Sequence, residues 1–127
     1  MNTNRDKAAA GEFGEASFKA EVLSSKQPVL VAFWAPWSRP CQILDGVLEE
    51  VATTCAASVK VVKVNADDNP DLSMWYEIQS IPTLLYFVHG SLRARVIGTV
   101  SKEAILAKLR SISPGGDDAL LAPDPNK

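Results

Sequence analysis

Phe33-Trp34-Ala35-Pro36-Trp37-Ser38-Arg39-Pro40-Cys41 is the stretch on which the fold turns. Its first residues close the continuous apolar run Val29-Leu30-Val31-Ala32-Phe33-Trp34, which reads as a strand buried on both faces. From Ser38 to Ala57 a helical period follows, carried by Ile43, Leu44, Val47, Leu48 and Val51. A strand that runs straight into a helix places the helix N-terminus at the carboxyl end of the strand. Open α/β sheets form their sites there. The unpaired N–H groups and the positive dipole end stabilise an anion such as a thiolate.

The same alternation extends in both directions. Upstream, Ala16 to Ser24 sets Phe18, Val22 and Leu23 on one helical face, and Pro28 ends that segment. Downstream, the β-branched run Val59 to Val64 predicts a second strand. Pro70 to Tyr76 suits a short helix with Asp68 or Asn69 as its cap. Thr83 to Val88 and Leu92 to Ile97 predict two strands joined by a hairpin at His89-Gly90. Ser101 opens a last helix with Ile105, Leu106 and Leu109 turned inward. The alternating first part requires parallel strands with crossover helices, and the closing hairpin is antiparallel. The expected fold is α/β: a central mixed β-sheet flanked by helices on both faces.

The chain has 127 residues, 46% of them apolar, enough for one core. Residues 1–11 read as a flexible N-terminal arm, 12–112 as the domain, and 113–127 as a disordered C-terminal tail. Leu120 and Leu121 are the exception in that polar tail. A net charge of −2 argues against nucleic acid and anionic membrane as partners. No apolar run reaches the roughly 20 residues of a membrane span. The N-terminal stretch lacks the apolar centre of a signal peptide, so the expected location is cytoplasmic. Two cysteines, Cys41 and Cys55, and a single histidine, His89, make a metal centre improbable. No cofactor is implied.

Phe-Trp-Ala-Pro-Trp-Ser-Arg-Pro-Cys over residues 33–41 resembles the thioredoxin signature, in which two cysteines flank two residues. The resemblance continues in Pro28-Val29-Leu30-Val31, in Lys63-Val64-Asn65-Ala66-Asp67, and in Ile81-Pro82-Thr83, which matches the segment bearing the family's cis-proline. Gly90 and Gly98 fall at the family's two later glycines. The match spans about residues 13–111 and implies a thioredoxin fold with a groove for extended protein segments. The chain departs from the pattern where chemistry happens. Ser38 stands for the attacking cysteine, and Ala32 for a buried aspartate that assists proton transfer. Arg39 replaces a glycine and Gly46 a helix-kinking proline.

The candidate catalytic positions are therefore Ser38 and Cys41. Ser38 reads foremost as a helix N-cap, since a serine nucleophile needs a base and none is evident. Cys41 reads as a small buried hydrophobe or as a lone redox thiol. Cys55 lies fourteen residues on, about 21 Å along a helix, and cannot pair with Cys41. It reads as filler or as a partly exposed thiol. Trp34 should pack under the loop, Trp37 should stand exposed beside the site, and Trp75 should belong to core or rim. Lys63 loses its usual aspartate at Ala32 and must reach solvent or another acid. Asp67, Asp68 and Asp71 read as a solvated helix start.

The expected binding residues are Trp37, Arg39, Pro40, Ile81, Pro82, Ile97 and Gly98. They describe a monomer that holds protein thiols or extended segments without cycling a dithiol. The alternatives are a monothiol redox protein that uses Cys41 toward protein thiols or glutathione, or an oxidoreductase in which Ser38 is an engineered change.

Overall fold

The computed structural model describes residues 11–12 and 15–112. Of the arm expected at 1–11, residues 1–10 lie outside the described residues, as does the tail expected at 113–127 with Leu120 and Leu121, while Gly11 belongs to a strand. Five strands form one mixed sheet: β1 (Gly11–Glu12), β2 (Val29–Trp34), β3 (Lys60–Asn65), β4 (Thr83–Val88) and β5 (Ser91–Ile97), in the order β1-β3-β2-β4-β5. β3 runs parallel to both β1 and β2, while β4 is antiparallel to β2 and β5. β2 and β4 are the central pair, which is why both read as unbroken apolar runs. β1 is not predicted by the sequence, in which the first element of the 12–112 domain is a helix. Two residues carry no periodicity to detect.

Four helices cover the sheet. α1 (Glu15–Phe18) continues as a π-helical turn, Lys19–Leu23. α2 is Arg39–Thr54, α3 Pro70–Trp75 and α4 Lys102–Ile112. Strand alternation divides the core into two layers. On one side Leu30, Ala32, Val61, Leu84 and Tyr86 meet Leu44, Leu48 and Val51 of α2 and Ile105 and Leu109 of α4. On the other, Val29, Val31, Phe33, Val62, Leu85 and Phe87 meet Phe18 and Val22, with Leu72 and Tyr76 at the margin. The Phe18, Tyr76 and Phe87 rings pack edge-on or tilted with centroids 5.7–6.0 Å apart.

Several local expectations need correction. Ile43 is 59% exposed rather than inward. It lies about 100° around the helix from Leu44 and so falls outside the buried stripe. α2 stops at Thr54 with Cys55 at its C-cap; Cys55 is buried, which agrees with the filler reading and not with the partly exposed one. Trp75 stands 78% exposed at the end of α3, beside exposed Met74, and belongs to no core. Asn69 occupies the cap position of α3 but makes no side-chain cap; its Nδ2 donates to the Asn65 carbonyl instead. Ser101 does accept from the Ala104 amide and caps α4. The β4–β5 hairpin turns through His89 and Gly90, both at positive φ.

Candidate functional site

The site lies where β2 gives way to α2. Trp34 ends β2, and the chain turns through Ala35-Pro36-Trp37, with the Ser38 amide donating to the Ala35 carbonyl at 3.2 Å. Ser38 has extended backbone angles, and its Oγ accepts from the Cys41 amide at 3.3 Å. That is the N-cap arrangement, which satisfies one of the helix's orphan N–H groups. Pro40 sits in the first turn, where a missing N–H costs nothing. The Gln42 side chain donates back to the Pro36 carbonyl at 3.0 Å and ties the loop to the helix.

The capping geometry decides what the two candidate catalytic positions can do. Ser38 is 5% exposed and its oxygen is engaged with the helix. Cys41 is 4% exposed, on the buried stripe of α2. The one histidine, His89, is at the β4–β5 turn, which pairs with the start of β2 and so lies at the far end of the sheet. No base reaches Ser38 from there. The two cysteines are both buried and unpaired.

Around this buried pair Trp37 and Ile97 are exposed, Ile81 and Gly98 are half-buried, and Pro82 is buried. Trp37 is 68% exposed, and its Nε1 donates to Asp67 Oδ2 at 2.7 Å. Asp67 is itself placed by Asn65, whose Oδ1 accepts from the amides of Asp67 and Asp68. The register Phe33 to Thr83 sets the start of β4 beside the end of β2, so Ile81 and Pro82 lie next to this loop. The Ile81–Pro82 peptide bond is cis. The Gly98 amide donates to the Pro82 carbonyl at 2.8 Å, which joins the end of β5 to the same place. Gly98 has φ +98, a left-handed angle that favours glycine. Ile97 beside it is 61% exposed. Trp37, Ile81, Pro82, Ile97 and Gly98 thus gather at one end of the sheet, with exposed Arg39 and Pro40 on the first turn of α2.

Beneath the loop, Ala32 and Lys63 are cross-strand neighbours. Lys63 Nζ bonds Asp45 Oδ1 at 2.7 Å and stands 5.0 Å from the centre of the Trp34 ring. Two carboxylates of this region escaped the sequence reading. In sequence Asp67 belongs to a run of acids that suits a solvated helix start, and only the folded loop turns it toward an indole. Asp45 had a usable signal, since Lys63 needed an acid and Asp45 follows Cys41 by one helical turn. Among the described residues no group of three or more His, Cys, Asp or Glu could hold a metal, and no helix is long and apolar enough to cross a membrane.

Residues 10–111 match the family model described as Thioredoxin. The chain belongs to the thioredoxin family. It is 47% identical over 95 residues to a thioredoxin of Pyropia yezoensis, covering 75% of this chain and 89% of that protein. It is 41% identical over 112 residues to a thioredoxin of Mycobacterium bovis, covering 88% and 97%. With thioredoxin 1 of Nostoc sp. it shares 45% identity over 98 residues, covering 77% and 92%. Thioredoxin relatedness accounts for the mixed sheet and its helices on both faces.

Proposed function

We propose that this thioredoxin-family chain binds an extended protein segment in the groove of Trp37, Arg39, Pro40, Ile81, Pro82, Ile97 and Gly98, without cycling a dithiol. One observation carries the reading: the residue at the helix start is a serine whose oxygen caps α2, while Cys41 is buried beneath it. Disulfide reduction needs an attacking thiolate and a second thiol that resolves the mixed disulfide. With Ser38 in place the chain has one thiol at the site and no attacker on the surface. What remains exposed is a tryptophan held by Asp67, with exposed Ile97 at the same end of the sheet, a combination suited to anchoring a partner. Two buried unpaired thiols suit a reducing compartment such as the cytoplasm.

Capture of proteins from a native lysate separates this reading from the monothiol one. Binding through the groove predicts partners that are lost with Trp37→Ala, are kept with Cys41→Ala and stay bound in dithiothreitol. Partners that vanish with Cys41→Ala and elute with dithiothreitol would instead mark Cys41 as a redox thiol toward proteins or glutathione.

A further inference from the structure

Lys63 is 16% exposed at its side chain and lies on the face of β3 that α2 covers. A lysine so enclosed needs a carboxylate. Its cross-strand neighbour is Ala32, which is fully buried and supplies none. The acid comes from the helix instead, as Asp45 at 2.7 Å. The ammonium so fixed stands over the Trp34 ring at 5.0 Å, within cation–π range. The buried Nε1 of Trp34 has no hydrogen-bond partner among the described residues, so no hydrogen bond at that atom orients the ring, and the Lys63 ammonium is a polar group placed over its face. Trp34 is also the last residue of β2, and its carbonyl accepts from Ala66 at 2.8 Å. The loop that starts there carries Trp37, and Ala66 precedes Asp67, which holds Trp37.

We propose that Asp45 is a positioning residue of the groove: from α2 it fixes Lys63 over Trp34, and so sets the junction from which Trp37 projects. It takes the place, from the opposite wall, of a carboxylate at residue 32. Asp45 touches no part of the groove and acts through Lys63 and Trp34. The link to binding rests on the groove reading, but the placement of Trp34 does not.

The indole N–H signals of Trp34, Trp37 and Trp75 in a proton–nitrogen NMR spectrum test this directly, each assigned from its Trp→Phe variant. Asp45→Asn is nearly isosteric at a half-exposed site. It is expected to shift the Trp34 signal and, more weakly, that of Trp37, leaving Trp75 unmoved. Ala32→Asp added to Asp45→Asn is expected to return the Trp34 signal toward its original position, since Lys63 regains an acid. Lys63→Gln should reproduce the Asp45→Asn shift, and the double variant should show no further change. A Trp34 signal unmoved by Asp45→Asn overturns the proposal. So do additive shifts in Asp45→Asn/Lys63→Gln, a result that stands even if Ala32→Asp disturbs folding. A folded Ala32→Asp/Asp45→Asn protein whose Trp34 signal stays displaced also overturns it. None of these readings depends on a bound partner, so loss of the groove reading would show separately.

Discussion

Tyr86 sits on the inner face of β4, between the sheet and the α2–α4 layer, and is almost wholly buried. Burial disfavours the phenolate and pushes its pKa up to about 12. Cys55, at the end of α2, has its thiol pushed up as well, mainly by burial, with nearby Lys102 opposing in part. Both groups hold their protons more tightly folded than unfolded. Their contribution is therefore fully present below the unfolded values, near 9 for the thiol and 10 for the phenol. It is lost as pH rises toward the folded values, because there the unfolded chain binds fewer protons than the native one. Urea midpoints measured from pH 8 to 12 should fall on the alkaline side, and Tyr86→Phe should flatten the part of the fall above pH 10. A profile unchanged by Tyr86→Phe would assign the loss to other groups. At this scale the sequence was least legible. Tyr86 could be read as core from its strand, but Asp45 and Asp67 meet Lys63 and Trp37 through folds of the chain 18 and 30 residues long. No local pattern records such meetings.

α2 carries the structural and the functional argument together. Its first turn is fixed by the Ser38 cap and by Pro40, and its buried stripe of Cys41, Leu44, Leu48 and Val51 anchors it on the sheet. Replacing Ser38 with alanine removes an acceptor for the Cys41 amide and should cost about 1 kcal/mol of stability. Ser38→Gly should cost less, only a few tenths of a kcal/mol, because glycine is itself a favoured cap residue and adds no methyl group beside the Cys41 amide. Denaturant melts of the two variants check this; equal stability of Ser38→Ala and wild type would deny the cap its role. The helices and strands were largely legible because their hydrophobic periods are long and clean, as in Val29–Trp34 and Thr83–Val88. The misses follow from physics that a period does not contain. The π-helical turn after Phe18 keeps Phe18 and Val22 on the core side, four residues apart, and so looks like α-helix from sequence. Ile43 and Trp75 are apolar residues that packing leaves outside, which composition alone cannot distinguish from core.

The described residues form a five-stranded sheet between two helical layers, with exposed Trp37 and Ile97 near the carboxyl end of β2. That position on the sheet was readable in part, because a strand running straight into a helix at Ser38 sets the helix start at the carboxyl end of the strand. What the groove holds was not readable, since exposure of Trp37 and Ile97 states a capacity for contact and not its partner. The central claim is that the scaffold persists while the dithiol cycle does not. The most direct test is turnover of insulin disulfides with dithiothreitol as electron donor, comparing wild type, Cys41→Ala and Ser38→Cys. A serine hydroxyl is too rarely ionised near neutral pH to attack a disulfide. Wild type should therefore match Cys41→Ala, and Ser38→Cys, with a thiol at the helix N-terminus beside Cys41, should exceed both. Catalysis by the wild type well above the Cys41→Ala variant would contradict the account.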